Sequence, residues 1–323
     1  MDDQFGWAFI GAGGIAASVA KRIFPSGRHR LVAVYNRTRE KAERLASRYG
    51  GRAYDGLESA LAADGVDGVY VCTTNDAHYA LCKRAIECGK PVLVEKPFTT
   101  DAERARELFA LAESKGLYVC EAMWTWFSDV AHALKKRIAD GAIGRIADGC
   151  ISFCMPIAFD KNGRLLRPEL GGGALLDLGI YPIAYAYRLF GMPREATCSA
   201  KLACGVDVSD EIIFKYDGFD IELKASVKGF MGTGESLVIN GEKGRITSGA
   251  FHSGGGFKIK SAGKTATFPS DKNAMLTQFD RVADEIRSGK TQSDLVPPQA
   301  TVDVLTLLDG IRRDIGVKFP FEI

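Results

Sequence analysis

The chain has 323 residues, with 42 basic against 40 acidic side chains and a net charge of +2. That length allows two domains and a substantial core, and the near-balance of charge excludes the basic footprint of a nucleic-acid or anionic-membrane binder. A composition of 46% hydrophobic and 25% charged residues, without an apolar run of bilayer length, is that of a soluble globular protein.

The N-terminus, "MDDQFGWAFIGAGG", has no basic region followed by an apolar one, so the expected setting is the cytoplasm. "WAFIG" reads as a strand and 14–24 as a helix. Between them lies Gly11-Ala12-Gly13-Gly14-Ile15-Ala16, a G-x-G-x-x-A dinucleotide fingerprint. Gly11 permits the tight turn, Gly13 lets the backbone approach a pyrophosphate, and Ala16 keeps the helix close to the sheet. The helix N-terminus, with Gly14 and Ile15, offers free N–H groups to phosphate.

The second strand, "LVAVYN", ends in Tyr35-Asn36-Arg37-Thr38-Arg39, without the acid that would hold the ribose hydroxyls of NAD. Arg37 would pair with a 2′-phosphate and stack on adenine, so NADP is favoured, with NAD admitted by the same motif. A helix follows at 38–49. "GVYVC" is the next strand, leading through Thr73, Thr74, Asn75 and His78 into a helix at 77–89. His78 belongs either to the cofactor cleft or to the helix surface.

"PVLVEK" ends on Glu95, Lys96 and Pro97. Glu95 either reaches the nicotinamide side or caps the strand end. A helix at 101–115 is expected to start on a capping box of Thr100 and Glu103 and to stop at Gly116. "LYVCEAM" then brings Glu121 to a strand end. Strands alternating with helices and apolar on both faces imply a covered parallel sheet over 1–123.

From 124 to 323 the pattern becomes α+β. Trp124, Trp126 and Phe127 stand at the junction and are candidates either for a wall against a ring-shaped substrate or for plain packing, with Trp124 and Phe127 taken as the substrate contacts. Helices are expected at 129–140 and 174–190, followed by successive strands. In "EIIFKYDGFDIELKASVKG", Asp217-Gly218 makes a turn, and Ile221, Leu223, Ala225 and Val227 alternate with polar residues. That period marks an antiparallel sheet with one polar face. Helices return at 275–288 and 299–313. The eight cysteines, none in a CxxC pair, are expected to be reduced and buried, and the four histidines lack metal-ligand spacing.

Together, G-x-G-x-x-A, T-x-N-x-x-H, E-K-P and the D-x-G-x-Y of "GGGALLDLGIYP" resemble the glucose–fructose oxidoreductase/inositol dehydrogenase/MocA family. "EAMWTWF" and "PELGGGALLDLGIYP" are similar to its dimeric dihydrodiol dehydrogenase branch. The resemblance implies a Rossmann domain followed by an α+β domain with an open-faced, mostly antiparallel sheet. It further implies an NADP-dependent oxidoreductase for a secondary alcohol of a sugar, polyol or cyclic diol, and a homodimer or homotetramer joined through the open face.

It assigns the substrate hydroxyl and nicotinamide ribose to Lys96, with Asp177 and Tyr181 facing it from the second domain. Tyrosine at 181 replaces the histidine common in the family, and Trp126 stands where the branch often has arginine. Chemistry agrees with those roles, because a phenol is a poor base at neutral pH unless a neighbouring ammonium stabilises its anion. Two other readings share the motifs: a sugar–sugar oxidoreductase that keeps its cofactor bound, and a non-catalytic NADP sensor. Retention of Lys96, Asp177 and Tyr181 together argues against the sensor.

Overall fold

The computed structural model describes residues 4–156, 163–228 and 234–322. It divides into two compact units, Met1–Phe127 with Met275–Val302, and Ser128–Ala274 with Asp303–Ile323.

The first unit runs β1 (Phe5–Ile10), α1 (Gly14–Ile23), β2 (His29–Tyr35), α2 (Arg39–Tyr49), β3 (Arg52–Tyr54), α3 (Leu57–Leu61), β4 (Gly68–Val71), α4 (His78–Glu87), β5 (Val92–Glu95), α5 (Ala102–Ser114) and β6 (Val119–Ala122). Its six strands are all parallel, in the order β3-β2-β1-β4-β5-β6. Every residue of β1, β4, β5 and β6 is buried, which is why these strands read as unbroken apolar runs. Strand order reverses at the β1/β4 pair, the switch point where such sheets bind ligands beyond their carboxyl ends.

Several local expectations change. Asp101, not Thr100, caps α5, its carboxylate accepting from Arg104 N at 2.9 Å. An ionised acceptor outcompetes a hydroxyl for that N–H. Gly116 ends the helix region with φ +64° as expected. The three-residue β3 and the single-turn α3 were not anticipated, being too short to show a period. Cys88 and Cys204 are exposed, so the thiols are not uniformly buried.

The second unit contains α6 (Asp129–Ala139), β7 (Ile146–Cys154), one π turn (Leu175–Gly179) running into α7 (Ile180–Phe190), and β8 (Glu195–Ala203), β9 (Val206–Tyr216), β10 (Phe219–Ser226), β11 (Glu235–Gly241), β12 (Gly244–Ser248), β13 (Phe257–Ser261) and β14 (Lys264–Phe268). Strand order is β14-β13-β12-β11-β7-β10-β9-β8. Among the described residues only β7 and β10 pair in parallel. Asp217-Gly218 forms the two-residue turn between β9 and β10, with Gly218 at φ +85°. The apolar side chains Ile221, Leu223 and Ala225 are buried on a sheet that also packs against α7. Glu222 and Lys224 alternate with them and pair at 2.9 Å.

Two helices close the chain, α8 (Ala274–Arg287) and α9 (Pro298–Asp314). The sequence placed both in a second domain of 124–323, but Met275–Val302 belongs with the first unit. The reason is apolar. Phe279 of α8 is fully buried and meets Trp7 and Tyr70 edge-on, each at 5.1 Å between ring centres. His29 adds a polar anchor, its Nε2 lying 2.9 Å from Asp280.

Candidate active site

At the end of β1, Gly11 has φ +119°, and a Cβ there would lie 2.5 Å from the carbonyl oxygen of Cys72. Only glycine fits, because the turn presses against the end of β4. Gly13 and Gly14 differ: a Cβ on either would meet no atom within 4 Å. They and Ile15 are exposed, and Gly13 precedes α1 without a side-chain cap or an acid in the first turn. An open backbone surface at an uncapped helix N-terminus fits a dinucleotide pyrophosphate. Asn36 ties this turn to the next loop, its Oδ1 accepting from Ala12 N at 3.1 Å and its Nδ2 donating to Thr38 O at 2.9 Å. Arg37 is exposed between them, while Arg39 is engaged by Glu43 and Asp55.

After β4, Thr73 and Thr74 are half-buried and Asn75 is buried. His78 is not a surface residue. It is buried, and its Nδ1 donates to Pro97 O at 2.8 Å; burial pushes its imidazole pKa down, against the raising effect of that carbonyl. The Lys96–Pro97 peptide is cis, and the turn around it is gripped on both sides. Glu95 accepts from Lys96 N at 3.3 Å and from the Tyr70 hydroxyl. Glu121 accepts from Phe98 N at 3.0 Å and from Thr301 Oγ1 at 3.0 Å. Both carboxyls are buried, so Glu95 acts as a brace for the backbone. Phe98 itself stacks on Phe109 at 4.6 Å. Of the junction aromatics, Trp126 and Phe127 are buried, and Trp124 keeps exposed surface.

In the second unit, Asp177 lies in the π turn, where Ile180 N donates to Leu175 O. Such turns recur at functional sites. Two of the glycines before it are required by the chain itself. Gly173 has φ +111°, and its Cβ would fall 2.3 Å from Asp207 Oδ1; that of Gly172 would fall 2.6 Å from Arg164 O. Asp207 accepts from Leu175 N and so caps the π turn. Asp177 accepts from Arg164 Nη2 at 2.7 Å.

Tyr181 is 6% exposed and sits in an aromatic trio. Its ring meets Phe153 at 5.5 Å and His252 at 5.2 Å, both edge-on, and Phe153 stacks on His252 at 4.3 Å. Glu235 holds His252 twice, at the backbone N–H and at Nδ1, the latter 2.7 Å away. Tyr185 OH donates to Phe251 O at 2.7 Å and fixes the same turn. Arg164, Glu235 and His252 were not singled out from the sequence, and no local pattern marks them.

Residues 5–122 match the profile of an oxidoreductase family with an NAD-binding Rossmann fold, and residues 131–247 match that family's C-terminal domain. A scyllo-inositol 2-dehydrogenase (NADP(+)) of Bacillus subtilis is 28% identical, over 90% of this chain and 91% of that enzyme. A trans-1,2-dihydrobenzene-1,2-diol dehydrogenase of Mus musculus is 28% identical, over 97% of this chain and 98% of its own. In fold, the chain is similar to a 3-ketoreductase from Actinomadura kijaniata solved with NADP and TDP-benzene, with a TM-score of 0.87, 23% identity, and 96% and 98% of the two chains covered. With both halves matched, the chain belongs to the glucose–fructose oxidoreductase/inositol dehydrogenase/MocA family of oxidoreductases.

Proposed function

We propose that this protein is an NADP-dependent oxidoreductase acting on a secondary alcohol, or the matching carbonyl, of a sugar, polyol or cyclic trans-diol. The relatives act on such alcohols by name, an inositol and a dihydrodiol. Gly11, Gly13, Gly14 and Ile15 would hold the pyrophosphate, and Asn36 and Arg37 the adenosine side. Thr73, Thr74, Asn75 and the 95–96 strand end would line the rest of the cleft. When bound, the nicotinamide takes up or returns the hydride.

Proton transfer falls to the chain. Tyr181, as a phenolate stabilised by the Lys96 ammonium, accepts the hydroxyl proton during oxidation and becomes the neutral phenol. Asp177, steadied by Arg164, orients the substrate hydroxyl, with Trp124 as a candidate ring contact. One observation carries the reading: two buried carboxyls and a buried histidine grip the backbone on either side of Lys96. A solvated strand end needs no such support. A screen of aldoses, polyols and trans-cyclic diols with NADP and NAD, followed by nicotinamide absorbance, should find turnover with NADP. A chain that binds NADP but oxidises or reduces none of them would overturn the reading.

A further inference from the structure

Glu121 has a place that the proposed reaction does not use. It lies on β6, 2% exposed, and its two oxygens serve different parts of the chain. One takes the Phe98 N–H, two residues beyond Lys96, and the other takes the Thr301 hydroxyl, 180 residues further along. Thr301 stands in the first turns of α9. That helix begins in the first unit and continues, from Asp303, as part of the unit that contains Tyr181. A single carboxyl thus ties the Lys96 turn to the helix that passes from one unit into the other.

We propose that Glu121 is a positioning residue whose carboxyl, by losing or gaining one proton, tightens or loosens the Lys96 turn and its tie to α9. An ionised carboxylate accepts from both donors at once and as a charge-assisted partner. A protonated carboxyl keeps one full acceptor and presents an O–H, so the Thr301 hydroxyl must turn from donor to acceptor. The clamp is then weaker at Phe98 and changed at Thr301.

Surroundings place this change in the neutral range. Burial raises the Glu121 pKa most, the Phe98 and Thr301 hydrogen bonds lower it, Glu95 raises it and Lys96 lowers it, leaving it at about 7. The Cys120 thiol and the His78 imidazole stay neutral there. Burial pushes the adjacent Cys120 thiol up and the His78 imidazole across the turn down. A carboxyl with a raised pKa is charged only above it, so the clamp is tight on the alkaline side of about 7 and loose on the acid side.

Any effect on turnover rests on the role proposed above for Lys96. The test is therefore read on the chain without ligand, by hydrogen exchange of the 96–99 segment corrected for the intrinsic pH dependence. Because Pro97 has no amide, Phe98 reports directly. Protection in the native chain against local opening that leaves Glu121 buried should rise severalfold as pH passes upward through about 7. Glu121→Gln, which cannot titrate but keeps an acceptor and a donor, should show no such rise while melting near the native temperature. Glu121→Ala should lose protection about tenfold at every pH.

Thr301→Val should move the rise to higher pH, since a donor to the charged form is lost. A purely structural hydrogen bond would give protection without the rise. The proposal is overturned if the native chain shows none, or if Glu121→Gln retains it. An unmoved midpoint in Thr301→Val would overturn the tie to α9.

Discussion

Arg37 shows how far a single residue was legible. The missing acid after β2 and an arginine two positions beyond Tyr35 are local facts, and the structure leaves Arg37 exposed beside a loop that Asn36 ties to the fingerprint turn. Arg37→Ala should therefore weaken NADP far more than NAD, by about 1.5–3 kcal/mol for the loss of a charge-assisted contact. Titration of both cofactors by fluorescence or calorimetry checks this, and equal losses would remove Arg37 from the role. Lys96 was equally legible, as an unusual residue at a strand mouth. Its supports were not, because His78, Glu95 and Glu121 reach it only after three strands have lined up. The same holds for His252 and Glu235, which are 17 residues apart and meet only once β11 and the 251–253 turn are formed.

Helices and strands were read well where their period was long, and less well where a cap or a neighbour decided the outcome. Asp101 replaced Thr100 as the α5 cap by one position. Gly173 before α7 has no room for a side chain, because Asp207 lies against it. Asp207 caps the π turn, so Asp207→Ala should cost about 1–2 kcal/mol of stability.

Its partner Asp210 is fully buried, and burial together with the Asp207 charge pushes its pKa up to about 10. With a folded pKa above the unfolded one, the contribution to stability is fully present below the unfolded carboxyl range. It is lost as pH rises towards about 10. Asp210→Asn is neutral at every pH and escapes that loss. It should raise Tm by a few degrees at neutral pH and leave it unchanged in acid, as read by calorimetry. A lower Tm at neutral pH would contradict this account of the pair.

For the whole molecule, composition and the alternation of elements led to the two-part architecture, and the first sheet holds the five expected strands together with the short β3. The assignment of α8 was missed because Phe279 looks like any apolar helix residue until Trp7 and Tyr70 surround it. The outer face of the second sheet suggests assembly. It includes Ile213, 41% exposed, near a depression of about 500 Å³ lined also by Asp148, Glu222, Val238 and Arg245. Light scattering at micromolar concentration should show a dimer or tetramer, with Ile213→Glu shifted towards monomer; a monomeric native chain would defeat this.

The central claim is that Lys96 makes Tyr181 acidic enough to carry the proton, and the pH profile of alcohol oxidation in Lys96→Met tests it most directly. Turnover should fall by about 10²–10⁴, as for Tyr181→Phe. The alkaline pKa of the residual rate should move upward, because the phenolate has lost its neighbouring cation. Near-normal turnover with an unshifted profile would contradict the account, and Lys96 would then be a solvated strand end.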